Sequence, residues 1–161
     1  MERTPKGAVI DASVAAKWFI PEEDSDKASK IMRKYSDGRI DLYAPDLLIY
    51  EVANVLRYRS DVTNEILTDN IENLFKLQLN LIPPSTDIMS EAAARARALD
   101  LSIYDACYMV IAETLATNLI TADTGLRKMQ EHQNSFPPEE PRRGMGHSLG
   151  KDNHDLNLVM S

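Results

Sequence analysis

A single cysteine in 161 residues excludes a disulfide framework, and Cys107, set in an apolar helical run, reads as a buried, inert thiol. No apolar run approaches the roughly 20 residues that cross a bilayer. The opening MERTPKG leads into a strand, not into the apolar centre of a signal peptide. The expected setting is therefore the cytoplasm, with no membrane. Basic charge is in deficit: 18 Lys and Arg against 25 Asp and Glu leave a net charge of −7, which argues against a large nonspecific nucleic-acid surface. Nucleic acid is still allowed as a substrate, because cations held among acids invert the local field, and a basic partner can use the same charge. Internal repeats and low-complexity tracts are absent too.

What is present is an ordinary globular composition, 43% apolar and 27% charged, and a chain long enough for one buried core. Short apolar runs alternate with helical patterns. Ala8, Val9 and Ile10 form a strand ending at Asp11, after which Ser13 can cap a helix through Val14, Ala15, Ala16 and Phe19. Pro21 to Asp24 makes a turn, and Ala28, Ile31, Met32 and Tyr35 mark a helix that stops at Asp37-Gly38. Ile40 to Ala44 is a strand candidate. Pro45-Asp46 then starts a helix with apolar positions Leu48, Val52, Val55 and Leu56. Val62, Ile66, Leu67, Ile71, Leu74 and Phe75 give another helix across a short connection, so the two are expected to form a hairpin. Leu79 to Ile82 is a further short strand, and Ser85 to Leu99 an alanine-rich helix.

The stretch LSIYDACYMVIAETLATNLITAD, Leu101 to Asp123, organises the rest. Ser102 and Asp105 have capping-box spacing ahead of an apolar helix, Asn118 suits a left-handed stop, and Leu119 to Ala122 suits a strand covered on both faces. Gly125 to Gln130 is helical for two turns at best. From residue 133 the chain is rich in Pro and Gly, so 1–132 is expected to be one domain and 133–161 a tail, either disordered or adding an edge strand through LNLVM. The alternation of strands and helices implies an α/β fold, a central short parallel sheet flanked by helices on both faces.

In such a sheet every strand's carboxyl end lies on one edge, so Asp11 and Asp123 share it, and Asp105 and Glu51 can point into the same crevice. Glu51 borders an apolar stripe and needs a partner there. Two carboxylates about 5 Å apart repel by roughly 3 kcal/mol at an effective dielectric near 20, so four converging acids require protonation, a Lys or Arg, or a divalent cation. All-carboxylate ligation suits Mg²⁺ or Mn²⁺, whereas zinc favours His or Cys. Such an ion activates water and stabilises a leaving oxygen, which implies phosphodiester hydrolysis.

The segments VIDASVAAKWF, APDLLIYEVANVL, SIYDACYMVIAE and LITAD, in this order and spacing over residues 8 to 130, resemble the four motifs of PIN-domain ribonucleases, specifically the VapC-like toxins of toxin–antitoxin modules. The resemblance implies a PIN-like fold and an Mg²⁺- or Mn²⁺-dependent endoribonuclease acting on tRNA or ribosomal RNA. By the same resemblance Asp11, Glu51, Asp105 and Asp123 are the metal-binding catalytic acids, and Ser13, Asn54 and Thr121 orient them or water. It also implies a homodimer and a cognate antitoxin that blocks the acidic pocket. The departure is the carboxyl end, where SFPPEEPRRGMGHSLGKDNHDLNLVMS does not match the helix and fifth strand usual in such proteins.

Plainer readings stand beside these. Asp105 alone is a helix cap, and Asp11 and Asp123 alone are loop residues after strands. His147, Asp152, His154 and Asp155 have a metal-ligand composition but lie in the Pro- and Gly-rich tail. Arg57, Arg59, Arg95 and Arg97 either steer RNA or line solvated helix faces; Trp18 and Phe19 fit helix packing better than base stacking, and Glu113 reads as solvated. A haloacid-dehalogenase phosphatase needs a second Asp where Ser13 stands, and a receiver domain needs early paired acids and a late Lys; neither pattern is present. The remaining alternatives are a PIN-like RNA- or protein-binding module without catalysis and an RNA-maturation nuclease without an antitoxin.

Overall fold

A computed structural model describes residues 6–134. Four strands, β1 (Lys6–Ile10), β2 (Ile40–Pro45), β3 (Asn80–Ile82) and β4 (Asn118–Ile120), form one parallel sheet in the order β3-β2-β1-β4. Central β1 carries Val9 and Ile10, both fully buried. Neighbouring strand residues face opposite ways, so burial of both means that helices cover the sheet on each face. The helices are α1 (Ala12–Ala15), α2 (Ser25–Ser36), α3 (Leu47–Arg57), α4 (Asn64–Lys76), α5 (Thr86–Leu99), α6 (Ile103–Thr114) and α7 (Thr124–Asn134).

Helix α6 is the core helix. Seven consecutive residues, Ala106 to Ala112, are buried, and it packs on β1, β2, β4 and α5. A helix apolar all round belongs inside, where its neighbours replace water on every side. Arg95 of α5 pairs with Glu113 at 2.7 Å, so Glu113, exposed to solvent as expected, also ties these two helices together. Cys107 is buried as expected, and that burial pushes its thiol pKa up. Trp18 packs against the core and donates to the Ala28 carbonyl at 3.0 Å, in keeping with a packing role.

Several local expectations give way. The first helix stops at Ala15 and continues only as a 3₁₀ turn over Ala16–Trp18. Its N-cap position is Asp11, whose carbonyl accepts from Val14 and Ala15, while Ser13 lies inside the helix. Asn118 does not end α6; Ala116 does, at φ 49°, and Asn118 already pairs with Ala8 in the sheet. The reason is a Schellman closure, Thr117 N–H to the Ala112 carbonyl and Ala116 N–H to that of Glu113, which places the left-handed residue two positions earlier. A non-glycine there costs about 1 kcal/mol. Gly38, by contrast, closes α2 with φ 67° as its sequence position predicts.

The α3–α4 hairpin forms, but its apolar stripe is only partly used. Leu48, Val52, Leu56 and Leu74 are buried, whereas Val55 is 43% and Phe75 58% exposed, and Ile66 is exposed with them. Periodicity marks a face without supplying something to cover it. Helix α7 spans eleven residues, longer than the two turns expected, and runs past the boundary drawn at 132. Residues 135–161, with the LNLVM strand candidate and His147, Asp152, His154 and Asp155, lie outside the described residues.

Candidate active site

The site grows from the central ladder. Ile10 pairs with Ile120, and the Asp11 N–H continues the pattern to the Ile120 carbonyl at 3.0 Å, so the chain leaves both strands side by side. Asp11 and Thr121 are therefore neighbours although 110 residues apart. Asp11 is 6% exposed. Its Oδ2 accepts from the Ser13 hydroxyl at 2.6 Å and from the Thr121 hydroxyl at 2.7 Å. Each hydroxyl is fixed in turn by a backbone donor, Ala122 N–H on Ser13 Oγ and Asp123 N–H on Thr121 Oγ1, both at 3.0 Å. No buried side-chain oxygen among the described residues lacks a partner, and both hydroxyls sit on Oδ2. Oδ1 therefore keeps contact with solvent and remains available to a cation.

Glu51 comes from α3, which begins just past the end of β2, and it borders the buried Leu48–Val52–Leu56 stripe as the spacing predicts. The partner it needs is Tyr108, whose hydroxyl donates to Glu51 Oε2 at 2.6 Å. Burial raises the Glu51 pKa above the ordinary carboxylate range; the Tyr108 bond offsets part of this, and the charges of Asp11 and Asp105 add to it. Glu51 thus feels the charge of Asp11 and of Asp105. Neither coupling is with a cation. Tyr108 is itself fully buried, which raises its own pKa above the ordinary phenol value, with Glu51 and Asp11 acting in the same direction.

Asp105 sits in the first turn of α6. The cap is Ser102, which accepts the Asp105 N–H at 3.0 Å and donates to its Oδ2 at 2.7 Å, so Asp105 steadies the capping residue rather than capping the helix itself. Asp123 follows β4, and its Oδ1 accepts from Leu126 N–H at 2.8 Å at the start of α7. Asp123 thus caps α7, and its backbone N–H links it to Asp11 through the Thr121 hydroxyl. Asn54 is exposed one turn along α3 from Glu51 and makes no hydrogen bond to these acids.

Among the described residues no three of His, Cys, Asp and Glu stand close enough to close on one ion as they are placed. The donor chemistry nevertheless fits a hard cation. Mg²⁺ is commonly held by one or two carboxylates, with waters and substrate oxygens completing the shell, so a dedicated cage of three protein ligands is not required. Tyr108 is the residue that sequence reasoning missed. Its signal is the demand of Glu51 for a donor, but a tyrosine inside the run ACYMVIA reads first as core.

Comparison with known proteins places this geometry. The PIN domain family model matches residues 8–131. Ribonuclease VapC3 of Pyrobaculum aerophilum is 30% identical over 122 residues, covering 73% of this chain and 90% of that protein. Among solved structures, VapC20 of Mycobacterium tuberculosis, described as a sarcin-ricin loop cleaving toxin, superposes with a TM-score of 0.62 at 12% identity, covering 76% of this chain and 94% of that one. PAE2754 of Pyrobaculum aerophilum gives a TM-score of 0.52 at 21% identity, covering 75% and 82%. With its sheet order, its acids at one sheet edge and these matches in agreement, the chain belongs to the PIN domain family, among its VapC-like members.

Proposed function

We propose that this chain is a divalent-metal-dependent endoribonuclease that hydrolyses phosphodiester bonds in tRNA or ribosomal RNA, and that it is the toxin of a toxin–antitoxin pair in the cytoplasm. The observation that carries the reading is Asp11, buried at the carboxyl end of β1 beside β4 with one carboxylate oxygen held by the Ser13 and Thr121 hydroxyls. The burial of Glu51, whose pKa is raised by desolvation and by the charges of Asp11 and Asp105, is in keeping with it. The names of the relatives support the rest, since VapC3 is named a ribonuclease and VapC20 a sarcin-ricin loop cleaving toxin.

In this reading Asp11, Glu51, Asp105 and Asp123 hold Mg²⁺ or Mn²⁺, and Ser13 and Thr121 fix Asp11 by holding one carboxylate oxygen. A bound ion supplies activated water and charge stabilisation for the leaving oxygen. Tyr108 holds Glu51 against its apolar surroundings, and Ser102 holds Asp105. Asn54 keeps its proposed place near the acids only as a contact to substrate or water, since it does not bond to them. A basic antitoxin side chain in the acidic pocket is the matching inhibitor. Exposed apolar side chains along α3 and α4, including Tyr50, Val55, Tyr58 and Phe75, support a homodimer through the hairpin. No described helix is long and apolar enough to cross a membrane.

The test is cleavage. Protein freed of any co-purified partner is incubated with labelled tRNA and ribosomal RNA fragments in Mg²⁺ or Mn²⁺, with EDTA and Asp11→Asn as controls. Discrete, metal-dependent cuts absent from the variant are expected. Intact RNA in every lane would leave a binding module without catalysis.

A further inference from the structure

Beside the acids lies a hollow of opposite charge. It has a volume of about 250 Å³, and Lys17, Lys27, Arg127 and Asp24 line it together with apolar Val14 and Ile31. Thr121, the residue whose hydroxyl holds Asp11, forms part of the same wall. We infer that this hollow seats a backbone phosphate of the RNA strand, next to the one that is cut. The inference rests on the nuclease reading for its substrate and adds to it a second contact point.

Charge makes the first argument. The chain carries a net −7, and the acid cluster repels a polyanion unless cations close by offset it. Three cations line the hollow. Lys17 pairs with Glu22 at 2.8 Å and also donates to the Glu23 carbonyl, and Lys27 pairs with Asp24 at 2.6 Å. Arg127 makes no ion pair among the described residues, so one positive charge is left over. The charges of Lys17, Lys27 and Arg127 all bear on Asp24, which marks them as one electrostatic group.

Geometry makes the second argument. Arg127 donates through Nη2 to the Thr121 carbonyl at 3.2 Å. That bond uses one of its five N–H donors, and the remaining fork matches a phosphate's paired oxygens. Lys27 is 73% exposed, and an exposed ion pair is weak, so Lys27 can turn from Asp24 to an arriving phosphate. Thr121 thus holds the catalytic acid by its side chain and the phosphate-binding cation by its backbone. A strand gripped at Arg127 is therefore set at a fixed offset from Asp11. Among the described residues no aromatic side chain lines the hollow, so the contact they offer is with the backbone and tolerant of sequence.

The test uses the full chain carrying Asp11→Asn, so that RNA stays intact in Mg²⁺, and labelled bulk tRNA as the probe. Affinity is measured by fluorescence anisotropy between about 50 and about 200 mM salt. Adding Arg127→Ala is expected to weaken binding about tenfold at low salt and to make the log–log salt slope shallower by about 0.7–0.9, the loss of one phosphate contact. Arg127→Lys should restore the slope but only part of the affinity, because the charge returns without the fork. Lys27→Ala, at an exposed position that does not threaten folding, should also flatten the slope. Parental affinity and slope in both alanine variants, with unchanged circular dichroism, would overturn the inference, as would failure of the parent to bind tRNA at the lowest salt. The wild-type cleavage assay keeps the two readings apart. Arg127-dependent binding by a protein that never cuts RNA removes the nuclease and leaves the phosphate seat; cutting with Arg127 indifferent to binding removes the seat alone.

Discussion

Tyr108 donates to Glu51 Oε2 at 2.6 Å from a fully buried ring, joining the helix that carries Asp105 to the helix that carries Glu51. Tyr108→Phe keeps the ring's packing and removes only the donor. A half-buried carboxylate then loses its one side-chain partner, at a cost of about 1–3 kcal/mol. The melting temperature is expected to fall by several degrees, and RNA cleavage to fall with it as Glu51 loses its fixed direction. The loss should shrink in a Glu51→Gln background, since a neutral amide needs the phenol less. Equal losses in both backgrounds would mean that the hydroxyl acts elsewhere.

The raised pKa of Glu51 has a consequence for stability. Its folded-state value lies above the unfolded one because burial disfavours the charge and Asp11 and Asp105 add to the effect. The folded protein thus holds this proton more tightly, and the stabilisation that follows is complete below the unfolded value and disappears as pH rises through the folded one. Melting curves in EDTA from about pH 4 to about pH 8 should show a decline in the wild type that Glu51→Gln flattens, with the variant melting higher at neutral pH. Parallel profiles for the two proteins would refute it.

How much of this was legible before the structure varies by residue. Asp11 and Asp123 could be placed because short apolar strands without alternation imply a parallel sheet, and a parallel sheet gathers its carboxyl ends on one edge. Glu51 announced a need for a partner, yet Tyr108 did not announce itself as the donor, because one hydroxyl in a run of core residues leaves no periodic trace. Ser13 and Thr121, placed by family resemblance, do meet Asp11, whereas Asn54, placed by the same resemblance, is exposed on α3. Arg127 sat in a segment read only as a weak helix. Its significance depends on the Thr121 carbonyl, a contact that helical periodicity does not encode.

Ser13 and Thr121 give a prediction that separates positioning from folding. Thr121→Val preserves shape but removes a hydroxyl that donates to Asp11 and accepts from Asp123 N–H. Partners that orient a metal-binding carboxylate typically contribute about 10–100-fold to metal affinity or activity. RNA cleavage should drop by a factor in that range, and the concentration of Mn²⁺ needed for half-maximal activity should rise. Ser13→Ala should act in the same direction, since it frees the same oxygen. A loss of turnover with no change in the Mn²⁺ requirement would assign the hydroxyls to the substrate instead.

Metal binding is open to a test that needs no RNA. An ion that binds only the folded chain stabilises it by mass action, by about 2.7 kcal/mol at a hundredfold excess over its dissociation constant. Millimolar Mn²⁺ should therefore raise the melting temperature of the apo protein by several degrees, and the rise should grow with the logarithm of concentration. Asp11→Asn removes the carboxylate whose Oδ1 faces solvent and should abolish most of the shift. Ca²⁺, a larger hard cation that makes fewer demands on coordination geometry, should also stabilise the fold, whereas Na⁺ at matched ionic strength should not. The same shift in Asp11→Asn as in the wild type would place the ion elsewhere. No shift at all, in a protein with a normal melting transition, would mean that these carboxylates meet a basic partner rather than a metal.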